Sequence, residues 1–337
     1  MRVRRPLLLP LVPVYAAALR LEQLLLERSS AGQRRLASSV VSVGSLSAGG
    51  AGKTPVVQAI ATLLMRHGYA VDVLSRGYGR GSKAVERVDP AGIPERYGDE
   101  PLLLARQTSA PVYVSADRHA AGLLAEKEIR GENKLVHLLD DGFQHRRLAR
   151  DLDVVLVTQQ DVQDCLLPAG NLREPLNRLR RADVLVLRTE EEAGLRPVVV
   201  KFTSSATPLW IIRRELHLPE ACDMGAIERP VAFCGIARPK SFFAMLRTEG
   251  LDLADSVVFR DHHAYREHDM RRLLAVGRRT GAGGFITTEK DAVKLPATMR
   301  AQLQAIGPLI IAELKVAFLD EHAVLTRIGA AQERRGA

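Results

Sequence analysis

The run Ser47-Ala48-Gly49-Gly50-Ala51-Gly52-Lys53-Thr54 has the residue types and the spacing to hold a polyphosphate. Glycines let backbone N–H groups crowd around phosphate oxygens, and a helix starting just after them adds unpaired donors and the positive end of its dipole. Lys53 would reach the β- and γ-phosphates, and the Thr54 hydroxyl would ligate magnesium. The generic pattern G-x-x-x-x-G-K-[ST] asks for glycine where Ser47 stands. The flanks fit: an apolar, β-branched stretch over 39–43 comes before, and a helix-like stretch over 56–67 comes after. Strand, glycine-rich turn, Lys-Thr and helix is the build of a phosphate-binding loop. Ser47, Gly49, Gly50, Ala51, Gly52, Lys53 and Thr54 are its nucleotide contacts.

Other segments carry groups that would complete such a site. An apolar strand over 134–140 ends in Asp140-Asp141-Gly142-Phe143-Gln144-His145. Carboxylates at the end of a buried strand beside a phosphate loop hold magnesium, so Asp140 or Asp141 is the ligand, directly or through water. The alternative is an ordinary Asp-Gly turn. Tyr97-Gly98-Asp99-Glu100-Pro101 opens a helix: Asp99 suits the N-cap, and its carboxylate can also accept a proton from an attacking hydroxyl, with Glu100 assisting magnesium. Asp261-His262-His263 follows a strand; adjacent histidines point apart and lack partners at zinc spacing. An electrostatic role for His262 beside Asp99 and a plain surface turn both remain open. Arg173, in the punctuated loop 167–176, and Arg118 are candidates to close over phosphates. Thr287-Thr288-Glu289-Lys290-Asp291 has the wrong spacing for a guanine-reading motif and reads as a strand end entering a helix, with a structural or hinge role.

The elements that must position these groups alternate. Strands are expected at 40–43, 70–74, 111–115, 134–140, 153–158 and 182–188, with helices at 56–67, 100–107 and 118–130. Such strands show little polar alternation, which implies a parallel sheet covered on both faces, with its site beyond the carboxyl ends. From 208 the pattern shifts. Two long strands, 208–216 and 308–316, enclose a smaller α/β set with strands 231–234, 256–259 and 284–287 and helices 240–249 and 268–279. The fold class is therefore α/β: a P-loop, doubly wound, mostly parallel sheet, with a second, smaller α/β domain joined by a two-strand hinge. The expected units are an N-terminal interfacial helix (1–35), the kinase core (36–207), the smaller domain with its hinge strands (208–318) and a tail returning to the core (319–337).

Composition bounds the partners. The net charge of +9 favours anionic partners, and aromatics at 4% argue against nucleic-acid binding by stacked bases. Cys165, Cys222 and Cys234 are scattered and form no C-x-x-C, which suggests a reducing compartment without a zinc site. Residues 1–5 are basic and 6–19 apolar, and Ala16-Ala17-Ala18 resembles a cleavage site, so a signal peptide competes. Against it, the pattern continues as a helix through 20–26, and a phosphate loop is of use where ATP is. The apolar run reads as too short to span a bilayer, and Pro6, Pro10 and Pro13 would disturb a span. A segment resting in the interface, with Arg4, Arg5, Arg20, Arg28, Arg34 and Arg35 meeting anionic headgroups, fits better than a helix packed on the protein's own core.

Taken together, the chain resembles the tetraacyldisaccharide 4'-kinase family of lipid A biosynthesis. The motifs S-x-G-G-x-G-K-T-P, G-D-E-P, D-D-G-F-Q-H-R-R-L, P-x-G-x-L-R-E-P, F-C-G-I-A-R-P-x-S-F-F, D-H-H-x-Y and T-E-K-D-A-V-K occur in order from about residue 6 to about 320. Ser47 is typical of that family. The resemblance implies ATP and Mg²⁺ as cofactors, and a lipid disaccharide 1-phosphate acceptor phosphorylated at its 4'-hydroxyl. It implies Asp99 as the catalytic carboxylate supported by His262, magnesium near Thr54, Glu100, Asp140 and Asp141, and phosphate or substrate contacts from Arg118, His145 and Arg173. It also implies a peripheral or monotopic place on the cytoplasmic face of the inner membrane, with closure of the domains bringing Arg173 onto the phosphates. No obligate protein partner is inferred. The alternatives are a P-loop kinase of a soluble molecule, which needs no apolar N-terminal segment, and a nucleotide switch or metallochaperone, which would want a guanine-reading motif and a His/Cys cluster.

Overall fold

The structure, a computed structural model, describes residues 4–28, 33–129, 134–204, 206–219 and 228–336. Met1, Arg2, Val3, Arg130, Cys222, Ala337 and the Arg28 side chain lie outside what is described. Among the described residues twelve strands form: β1 (Ser39–Ser45), β2 (Ala70–Ser75), β3 (Glu86–Arg87), β4 (Val112–Val114), β5 (Leu135–Asp140), β6 (Leu152–Leu156), β7 (Val184–Arg188), β8 (Leu209–His217), β9 (Val231–Cys234), β10 (Asp255–Val258), β11 (Phe285–Thr288) and β12 (Leu309–Phe318). They join in one sheet, in the order β10-β9-β11-β12-β8-β7-β6-β1-β5-β2-β4-β3. Only β3–β4 and β8–β12 pair antiparallel.

β1, β5, β6 and β7 are buried along their whole length, as strands covered on both faces must be. One core holds Val41, Val43, Ile60, Leu64, Val136 and Val154. The C-terminal helix Glu321–Gly336 adds Val324, Ile328 and Ala331 to that same core. On the far side of the chain, β9 to β12 carry two cores of their own, around Phe242, Phe243 and Ile310 and around Phe233, Phe285 and Met270. The smaller α/β set is thus a second lobe that shares the sheet. Its link is a ribbon: β8 pairs with β7 through 209–212 and with β12 through 212–217, while β12 pairs with β11 through 309–312.

The N-terminal segment is a 3-10 turn Pro6–Leu11 running into the helix Val12–Arg28. Its prolines fall at the starts of helical segments or inside the short 3-10 turn, where few backbone bonds are lost. Pro6–Leu25 is a helical stretch of 20 residues, none of it buried, with mean hydropathy 1.4. By length and composition it can cross a membrane, so the expectation of a run too short to span is corrected. The apolar character continues past Arg20 and Glu22 through Leu21, Leu24 and Leu25.

Candidate active site

The glycine-rich run leaves the carboxyl end of β1 and turns into the helix Lys53–Arg66. Gly49, Gly50 and Gly52 have φ of 73°, 67° and 90°, a left-handed backbone that suits glycine. The loop's entry is stitched to the segment 165–173: Ala48 N–H donates to Asn171 O at 2.8 Å, and Arg173 N–H donates to Leu46 O at 2.7 Å. The Ser47 hydroxyl is buried with no hydrogen-bond partner.

Arg173 is seated against this loop. Its Nη1 donates to Asp141 Oδ2 at 3.0 Å, and its Nη2 donates to Asp141 Oδ1 at 2.8 Å and to Ser47 O at 2.9 Å. It belongs to the same lobe as the loop and reaches the loop's Ser47 carbonyl. Lys53 Nζ lies 3.2 Å from Asp141 Oδ1. Asp141 has a positive φ of 51°, which turns its side chain toward these cations. Burial would raise its carboxyl, but Lys53 and Arg173 outweigh that and hold it down at about 2. Asp140 is buried and accepts from Ser75 Oγ at 3.2 Å. Burial, then the Glu100 and Asp141 charges, push it up to about 7. A divalent cation relieves the crowding of carboxylate charge in a group of this kind. Among the described residues no three His, Cys, Asp or Glu side chains form a metal cage. Magnesium usually takes one or two carboxylates plus phosphate oxygens, so this donor set fits it.

Asp99 sits at the start of the helix Asp99–Gln107. The cap position belongs to Gly98, φ 91°, where an added Cβ would stand 2.9 Å from Tyr78 O. The N-cap reading of Asp99 is therefore corrected. Its Oδ1 accepts from Glu100 N–H at 3.0 Å, and its Oδ2 lies 2.8 Å from His262 Nδ1. Burial would raise the Asp99 carboxyl; the His262 bond and the Lys290 charge outweigh it, and the net direction is down. The bond to Asp99 raises His262, against burial and Lys290. His262 has φ 58°, so the second lobe holds it in an unusual backbone to reach across. His263 instead contacts Asp269 at 2.9 Å and stacks on Phe259.

Both lobes thus aim strand carboxyl ends at one cleft of about 200 Å³. The loop from Gly49 to Thr54, Glu100 and Arg188 line it from the first lobe, and Ala237, Arg238 and Lys290 from the second. Leu216, Phe242, Met245 and Leu314 give it an apolar end. Arg118 and His145 do not line this cleft. Arg118 feels the Asp140 and Asp141 charges, but burial and Arg76 push it down to about 10; burial, Arg118 and Arg150 push His145 down to about 4.

Three groups escaped the sequence reading. Arg188 Nη2 donates to Ala51 O at 2.7 Å, supporting the loop from β7. Arg238 Nη2 donates to Thr158 Oγ1 at 3.1 Å, tying the second lobe to the first. Lys290 Nζ donates to Glu100 Oε1 at 2.9 Å. A signal existed for Arg188 and Lys290: each is a cation at the carboxyl end of an apolar strand.

The family model described as tetraacyldisaccharide-1-P 4'-kinase matches residues 4–332. A tetraacyldisaccharide 4'-kinase of Koribacter versatilis is 39% identical over 333 residues, covering 97% of this chain and 99% of that protein. One of Geobacter metallireducens is 40% identical over 334 residues, covering 93% and 94%. A crystal structure of LpxK from Aquifex aeolicus, described as an "apo" form in complex with ATP, superposes with a TM-score of 0.74 at 32% identity, covering 97% of this chain and 99% of that one. The match spans almost every residue, and the chain belongs to the tetraacyldisaccharide 4'-kinase family.

Proposed function

We propose how this member of the family, an ATP-dependent 4'-kinase of lipid A biosynthesis, carries out its transfer. ATP lies with its phosphates on the loop 47–54 and its base toward the apolar end of the cleft. Ser47, Gly49, Gly50, Ala51 and Gly52 supply the loop's donors, and Lys53 reaches the terminal phosphates. Thr54, Glu100 and the Asp140–Asp141 pair would hold Mg²⁺, which neutralises phosphate charge when bound. Arg173, already fixed beside Ser47, adds positive charge beside the phosphates. Arg118 and His145 meet anionic or polar groups of the acceptor.

Asp99 accepts the proton of the 4'-hydroxyl as its oxygen bonds the γ-phosphorus and the bridge to ADP breaks. His262 orients Asp99 through the contact between its Nδ1 and Asp99 Oδ2. Closure of the lobes about the β8–β12 ribbon excludes water. The exposed helix rests on or in the cytoplasmic face of the inner membrane and brings the lipid's headgroup to the cleft.

The observation that carries this reading is the 2.8 Å contact between Asp99 Oδ2 and His262 Nδ1, beside a cleft lined by Lys53 and Glu100. The test is Asp99→Ala, assayed with ATP and the lipid disaccharide 1-phosphate. Turnover should fall by about 10²- to 10⁴-fold while ATP affinity holds. Near-normal turnover would remove Asp99 from the chemistry.

A further inference from the structure

Lys290 stands where the two halves of the site meet. It lies on the short helix Glu289–Ala292 at the carboxyl end of β11. Its Nζ is 2.9 Å from Glu100 Oε1, 3.3 Å from His262 Nε2 and 3.8 Å from Asp261 Oδ1. The backbone carrying it is fixed from both sides. Asp291, fully buried, accepts from Gly235 N–H at 3.0 Å and from Thr288 Oγ1 at 2.6 Å. Glu289 accepts from Leu314 N–H at 3.4 Å and from Gln107 of the first lobe. The lysine head therefore arrives at a set position.

An ammonium group donates and cannot accept. A ring nitrogen in hydrogen-bond contact with it must present its lone pair. His262 Nε2 is then the acceptor, and the neutral ring carries its proton on Nδ1, aimed at Asp99 Oδ2. The other groups facing this ring are Asp261, with Oδ2 at 4.0 Å from Nε2, and the Tyr78 ring, at 5.9 Å between centroids. With the ammonium gone, Nε2 would face the Asp261 carboxylate, which favours adding a proton there and turning the neutral ring into an imidazolium.

We propose that Lys290 is a positioning residue for the phosphoryl transfer: it fixes His262 in the tautomer that donates to Asp99, and it tethers Glu100 of the opposite lobe beside the phosphate loop. The proposal rests on the reading of Asp99 and His262 as the acid–base pair.

The test compares Lys290→Met and Lys290→Arg in the full chain. Steady-state kinetics with ATP and the lipid disaccharide 1-phosphate are set beside ring ¹⁵N shifts of His262. Thermal midpoint and nucleotide affinity report whether each variant is folded. Lys290→Met should lower kcat by about 100-fold with KM for ATP moved less than about threefold. Lys290→Arg should recover most of the loss, because a guanidinium also only donates. In the parent and in Lys290→Arg, Nε2 should read as unprotonated; in Lys290→Met it should gain a proton or average between forms. A folded Lys290→Met with kcat near the parent's, a loss confined to KM for ATP, or an unchanged ¹⁵N pattern would each overturn the proposal. Should Asp99→Ala stay active, the acid–base reading fails, whereas the ¹⁵N comparison still decides what Lys290 does to His262.

Discussion

The Tyr15 hydroxyl donates to the Arg173 carbonyl across 3.0 Å, joining the apolar N-terminal helix to the residue that clamps Asp141 and Ser47. Arg5 reinforces the same strap, with Nη1 donating to Gly170 O at 3.0 Å. Tyr15→Phe removes one partly buried hydrogen bond, worth about 1 kcal/mol. We expect kcat/KM for the lipid to fall by about fivefold, with ATP affinity unchanged. Steady-state assays at saturating ATP check this, and an unaltered lipid kcat/KM would sever the helix from the site.

Leu7, Leu11, Leu21 and Leu25 are exposed on that helix, Leu7 by 94%. Each leucine buried in lipid is worth about 1.5–3 kcal/mol. Replacing all four with serine, while keeping Arg4, Arg5 and Tyr15, should lower partitioning into anionic vesicles by more than about 100-fold. Lipid phosphorylation should fall with it, and ATP binding should not. Vesicle sedimentation alongside ATP titration separates the two effects, and unchanged partitioning would refute a membrane seat.

Gly50 has φ 67°, and a Cβ there would lie 2.8 Å from the Ala237 Cβ. Gly50→Ala combines a left-handed penalty of about 1–2 kcal/mol with a collision between the lobes. ATP affinity should drop by about tenfold. Adding Ala237→Gly should restore part of it, since the collision is relieved and the backbone penalty is not. Calorimetric titration of the three variants is the measurement.

His137 lies buried between Asp72 Oδ2, 2.7 Å from Nδ1, and Glu126 Oε1, 3.3 Å from Nε2. Burial opposes its charge, but a carboxylate on each ring nitrogen raises it to about 9. Burial pushes Asp72 up as well, against His137; the double pairing of the ring makes the upward shift of His137 the governing one. In an unfolded chain histidine titrates near about 6.5. Its stabilisation is therefore complete below that pH and fades as pH climbs toward 9. The thermal midpoint should decline across this window in the parent and stay flatter in His137→Gln. Parallel slopes would assign the buried pair no part in pH-dependent stability.

Much of this architecture was legible because buried parallel strands announce themselves. Val184 to Leu187 is an unbroken apolar run, Val40 to Val43 is interrupted only by Ser42 and Leu135 to Leu139 only by His137, and each became a central strand. The helix Thr189–Val199 went unread because Gly194 and Pro197 punctuate it, yet burial of Leu195 and Val199 against β7 and β8 overrides their weak propensity. β3 is two residues long and paired only at an edge, too short to leave a pattern. Asp99 and His262 were paired from their chemistry, but the spacing of Thr288-Glu289-Lys290 gave no hint that 190 residues of separation would close to 2.9 Å at Glu100. Contacts made across lobes follow from how sheets are joined, and local sequence does not encode that distance.

The helix Glu321–Gly336 seals a face that the earliest strands leave bare. Val324, Ile328 and Ala331 join Val41 and Val136, and Arg335 reaches back to Asp151 at 2.5 Å and to the Leu36 carbonyl. During synthesis the apolar N-terminal stretch clears the ribosome some 300 residues before that cover exists. The nucleotide-holding core is therefore unfinished until nearly the last residue has been made.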